Sequence, residues 1–103
     1  SIYHGRSGTL MVVGLAACEC IIYDAHSLKE KRAVLQRIIT RLKQKYNISV
    51  SEVDHHDVWQ RTTIAIAAVS ASKVSTEREL QNALKMIDSF PEIERTITEI
   101  EWL

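Results

Sequence analysis

Apolar and small residues fill nearly every position from Val12 to Tyr23, with a bias to β-branched types, and the run stops at Asp24. That pattern predicts a strand. From Ser27 the period changes: Leu28, Leu35, Ile38, Ile39, Leu42 and Tyr46 recur at helical spacing and predict a helix from Ser27 to Tyr46. Ser27 and Glu30 form an S-x-x-E capping box at its start. Ile48 to Val53 reads as a short strand, Asp54 to Asp57 (DHHD) as a polar turn, and Val58 to Ser70 as a long strand. A second helix is predicted from Val74 to Phe90. It carries Leu80, Ala83, Leu84, Ile87 and Phe90 on one side and is closed by Pro91. Ile93 to Trp102 alternates as a last strand.

The order β-α-β-β-α-β predicts an α+β, ferredoxin-like split β-α-β: an antiparallel sheet with two helices on one face. Right-handed crossovers leave few other topologies for one short domain. The two long strands should be central. Their runs VVGLAAC (Val12 to Cys18) and IAIAAV (Ile64 to Val69) are apolar at every position, whereas a sheet with one solvated face alternates. The face without helices is therefore expected to be covered too, most simply by a second copy, which predicts a homo-oligomer with a dimer favoured.

The 103 residues suffice for one domain. Formal net charge is zero, but it is unevenly laid out. Between Ser27 and Tyr46 seven basic residues (Lys29, Lys31, Arg32, Arg37, Arg41, Lys43 and Lys45) face Glu30 alone, whereas from Asn47 onward ten acidic residues face five basic ones. A basic helix on an acidic remainder keeps nucleic acid open as a partner despite the neutral total.

The first ten residues, Ser1 to Leu10, show neither helical nor strand periodicity. They read as a cloning remnant, with Met11 as the natural start. The stretch LAAC (Leu15 to Cys18) imitates a lipoprotein cleavage site, but the apolar run before Cys18 is too short and only Arg6 is available as a basic flank. No window reaches membrane-spanning length, and the expected location is cytoplasmic. Cys18 and Cys20 lie two apart on a strand, where disulfide geometry is not reached without distortion, and read as small buried hydrophobes.

The blocks SLKEKR (Ser27 to Arg32) and SEVDHHDVWQRTTIAIAAVS (Ser51 to Ser70) resemble the YlxP-like family of small bacterial proteins, and the resemblance runs through everything after Met11. It implies a ferredoxin-like fold and, in several bacteria, a chromosomal setting among translation-initiation and ribosome-maturation genes; it implies no established activity. By that match Ser27, Leu28, Lys29, Lys31, Arg32, Glu52, Asp57, Trp59, Gln60 and Arg61 fall on characteristic positions. The ten leading residues and the His55-His56 pair depart from the pattern.

The basic helix is the main candidate site. Lys29, Lys31 and Arg32 occupy the end where the helix dipole disfavours positive charge. One reading is phosphate recognition, with unpaired N-H groups, dipole and cations acting together and Arg37, Arg41 and Lys43 extending the patch along a nucleic-acid backbone. The other is internal pairing, with Glu52 and Asp57 as partners; Lys31, beside the apolar stripe, suits it best. Trp59, next to Gln60 and Arg61, either stacks on a base or closes one end of the core. Stacking across the sheet is disfavoured, because Ile64 to Val69 carries no aromatic residue.

Cys18, Cys20, His26, His55 and His56 have no spacing that yields a tetrahedral metal set. There is no Gly-rich phosphate loop, no H-E-x-x-H and no nucleophile with a local base. The expectation is a non-enzymatic protein without metal or cofactor that binds ribosomal or other structured RNA through Lys29, Lys31, Arg32, Arg37, Arg41, Lys43, Trp59 and Arg61. Two alternatives stand beside it: a self-associating interaction module, and a small-ligand sensor at a subunit interface.

Overall fold

The computed structural model describes residues 11–103; the expected cloning remnant lies outside the described residues. Six elements follow in order: β1 (Val12–Ile22), α1 (Leu28–Lys45), β2 (Ser49–Asp54), β3 (Arg61–Ser70), α2 (Lys73–Asp88) and β4 (Ile93–Trp102). The strands pair antiparallel in the order β2-β3-β1-β4. This is the ferredoxin-like α+β arrangement, with β1 and β3 central as their apolar runs predict.

Local chemistry sets the helix ends. Ser27 Oγ accepts from the backbone N-H of Glu30 at 3.1 Å, while a Glu30 carboxylate oxygen accepts from the N-H of His26 at 2.6 Å. Both bonds satisfy donors that a bare helix start leaves open. Ser27→Ala is expected to lower stability by about 1 kcal/mol, read as a lower urea midpoint at unchanged m-value. The second helix ends at Asp88, two residues before the sequence pattern suggests, because the backbone of Phe90 is already turning ahead of Pro91.

Between the helices and one face of the sheet lies the core. α1 contributes Leu35, Ile38 and Leu42, α2 contributes Leu80, Ala83, Leu84 and Ile87, and the central strands meet them with Cys18, Cys20, Ile64 and Ile66. Gly14 sits beneath α2: a Cβ there would lie 2.9 Å from Leu80 Cδ1, 2.9 Å from the Trp102 ring and 3.1 Å from Thr76 Cγ2. Burial pushes the Cys20 thiol up to about 12, with Cys18 beside it adding to the effect, and raises the Cys18 thiol as well. Neither sulfur is a thiolate near neutral pH, and both act as core atoms.

The long strand starts later than its sequence suggests. β3 begins at Arg61, and residues 59–60 form a turn. β1 supplies no ladder partner further out: after Ile22 it turns away through Asp24 at φ 61°, while β2 ends in a bulge followed by His55 at φ 62°. The bond from Ile22 N-H to the Gln60 carbonyl closes that end of the sheet.

On the other face, three rows cross all four strands. They run Ser49, Ala67, Leu15, Glu101; Ser51, Ala65, Ala17, Glu99; and Asp54, Thr63, Glu19, Ile97. No described element covers them, and Val69 and Ile97 on this face are 52% and 56% exposed.

Candidate nucleic-acid interface

The structure sorts the eight nominated residues into different roles. Lys31 is withdrawn from the surface. It is 1% exposed, and its ammonium pairs with Glu52 at 2.9 Å and donates to the His55 carbonyl. Glu52 also accepts the Thr62 hydroxyl at 2.6 Å. The pairing weighed against phosphate contact thus holds for Lys31, because its position on the wheel directs it into the gap between α1 and β2. Asp57, the other partner considered, makes no ion pair among the described residues.

Arg37 forms an ion pair with Glu92, just past α2, and the Arg41 guanidinium lies 5.5 Å from the centroid of the Phe90 ring. Both therefore lie on the flank of α1 that faces the end of α2. They do not extend the patch as the sequence suggested, because the helical repeat carries them to the other side.

Lys29, Arg32 and Lys43 remain. All three are exposed and make no ion pair among the described residues. With Gln36 they are spaced by three, four and seven residues, which puts them on one stripe of α1 about 21 Å long. Gln36 was not among the predicted residues, although its spacing from Arg32 was available as a signal. The stripe also moves the site off the helix end. Ser27 and the Glu30 carboxylate already occupy that end, so cations along the flank take the place of an end-on pocket of N-H groups.

Trp59 is 50% exposed, lies in the turn 59–60 and takes no part in the core, so it does not close the domain. That turn belongs to the same β2–β3 connection as His55, whose carbonyl holds Lys31. The start of α1 and the turn carrying Trp59 therefore meet at one end of the molecule. Arg61 pairs loosely with Glu19 at 3.6 Å and faces the open side of the sheet beside Ile21. The exposed hydroxyl of Tyr23 donates to Glu94, which pushes its ionisation upward.

Among the described residues no cluster of three or more His, Cys, Asp or Glu could hold a metal ion. No helix there is long and apolar enough to cross a membrane.

Together these features define a small ferredoxin-like domain with a cationic stripe on one helix and an uncovered sheet face. The chain belongs to the family described as "Protein of unknown function (DUF503)", whose model matches residues 13–100. It is 66% identical over 91 residues to "Uncharacterized protein YlxP" of Bacillus subtilis (strain 168), a match covering 88% of this chain and 99% of that relative. Among solved structures, "De novo designed protein Foldit4" shares 15% identity at a TM-score of 0.50, covering 90% of this chain and 96% of its own. At that identity only the fold is shared. A C-terminal segment of the alpha subunit of aIF2 from Pyrococcus abyssi aligns at a TM-score of 0.49 and 16% identity, over 97% of this chain and 52% of that one. That looser likeness bears on nothing further.

Proposed function

We propose that this protein is a non-enzymatic RNA-binding domain whose Lys29, Arg32 and Lys43 stripe engages the phosphate backbone of ribosomal or other structured RNA. The observation that carries this reading is the sorting of charges on α1. Lys31 and Arg37 are paired and Arg41 is set over a ring, while three exposed cations share one line without acidic partners among the described residues. Salt-solvated helix faces need no such alignment. A line of cations about 21 Å long spans several successive phosphates, and Gln36 adds a hydrogen-bonding group within it. Trp59 offers an aromatic face near the stripe's start for an unstacked base. The chromosomal setting implied by the YlxP-like resemblance favours an RNA partner over other polyanions. Recognition of this kind reads shape and charge and supplies affinity before sequence specificity.

Co-sedimentation with ribosomal subunits and with total RNA at two salt concentrations tests the reading, comparing the unaltered chain with Lys29→Glu/Arg32→Glu. The unaltered protein is expected to pellet with RNA at low salt and to release as salt rises. The double variant should bind at least tenfold more weakly while keeping its far-UV circular dichroism. If the unaltered protein stays in the supernatant at low salt, phosphate recognition is refuted.

A further inference from the structure

We propose that the sheet face left open by the helices pairs with the same face of a second copy of this chain, about a two-fold axis running along the strands. The open face is graded across the sheet. Its three rows begin with Ser49, Ser51 and Asp54 on β2, pass through small or apolar side chains in the first two rows, and end with Glu101, Glu99 and Ile97 on β4. A two-fold axis along the strands lays β4 of one copy over β2 of the other. Glu101 and Glu99 then meet the hydroxyls of Ser49 and Ser51, acceptors against donors, with Ser51 turning from the Glu52 carbonyl to which it donates at 3.2 Å. At the centre Ala65 lies over Ala17 and Ala67 over Leu15, where small side chains let the sheets close together. In the third row Thr63 comes to Glu19, which Arg61 already holds at 3.6 Å, and Asp54 comes over Ile97 at the rim, the one mismatched pair of the three rows.

The competing two-fold axis, across the strands, stacks β4 on β4 and drives glutamates together, which opposes pairing. A foreign partner would have to bring cations or hydroxyls to Glu99 and Glu101, whereas a second copy brings the hydroxyls of Ser51 and Ser49 to them. Its size also fits. At about 3.4 Å per residue and 4.8 Å between strands the four strands present a footprint of about 600 Å². Side-chain relief brings that toward the roughly 800 Å² that a standard interface takes from each partner. Pairing would also explain why the central strands are apolar on both faces, which a solvated sheet has no reason to be.

The mass in solution tests this, measured by sedimentation equilibrium over a wide concentration range and without RNA, so the outcome is independent of the phosphate-binding reading. The unaltered chain is expected at twice its own mass. Ala65→Arg, which places a long charged side chain in the middle of the face and outside the core, is expected at the mass of one chain with unchanged secondary structure. Cross-linking of Ser51→Cys/Glu99→Cys with a short thiol-specific bismaleimide that spans the roughly 10 Å between packed sheets provides a second reading. The two positions sit three strands apart within a chain, about 14 Å, beyond the reach of that linker, so the link can form only between copies. It should give a band of doubled mass that neither single cysteine variant gives. A single-chain mass for the unaltered protein, a dimer that Ala65→Arg leaves intact, or equal cross-linking by Glu99→Cys alone would each overturn the proposal.

Discussion

Lys31→Met is expected to lower the stability of the folded chain by about 3 kcal/mol, at the lower edge of what losing one partner of a buried ion pair removes. The lower edge applies because Glu52 retains 16% exposure and keeps the Thr62 hydroxyl as a donor. Methionine preserves most of the lysine's apolar stem, so the loss reports the ammonium and its two partners, Glu52 and the His55 carbonyl. On a domain whose total stability is on the order of 5 to 15 kcal/mol, the urea midpoint should fall visibly. Combining Lys31→Met with Glu52→Gln should recover part of the loss, because the stranded carboxylate is then gone; a double-mutant cycle measures that coupling. RNA association should survive in the folded Lys31→Met protein. Loss of binding there without loss of structure would return Lys31 to the interface.

Gly14→Val should cost about 3 kcal/mol, and Gly14→Ala about 1 to 2 kcal/mol, although glycine in a strand is by itself less favourable than alanine. Sterics decide the sign. A Cβ at Gly14 would meet Leu80 Cδ1 and the Trp102 ring, each at 2.9 Å, and Thr76 Cγ2 at 3.1 Å. The leucine methyl can rotate aside. The indole ring moves only if the end of β4 moves with it, and valine adds two methyl groups to the same space. The displacement should appear as a changed near-UV signal from tryptophan. It should also speed amide exchange at Leu103, whose N-H donates to the Val13 carbonyl next to Gly14. Unfolding midpoints unchanged from the parent would contradict the tight approach of α2 to β1.

The apolar periods were enough to order the elements and place β1 and β3 at the centre, because burial on one helix stripe or both sheet faces leaves a local trace. Lys31 was partly legible: its place beside the apolar stripe marks a side chain that cannot reach solvent freely. Arg37 was not, because Glu92 lies 55 positions further along and nothing near Arg37 signals the pairing. The start of β3 was missed for a related reason. Val58 and Trp59 have strand-forming side chains, yet the turn at Asp24 and the left-handed backbone of His55 leave them without a neighbouring strand. The graded rows of the open face depend on register across four strands, and a bulge in β4 between the partners of Glu19 and Cys20 keeps Ile93 in the core while Ile97, at the same parity, faces out with Glu99 and Glu101. Alternation along β4 alone does not carry that information.

The charges that balance in the total are separated in space. Lys29, Arg32 and Lys43 of α1 stand on the helix layer, and Glu94, Glu99 and Glu101 line the opposite side along β4. A single copy therefore has a dipole moment across its thickness although its formal net charge is zero; in the face-to-face pair the two moments oppose, which leaves cations on both outer layers and the glutamates between them. Far from a polyanion such an arrangement feels almost nothing; within a Debye length, about 8 Å at physiological ionic strength, either outer helix layer is drawn inward while the glutamates stay behind the sheet. The orientation is set before contact, so added salt should slow arrival more than it hastens departure.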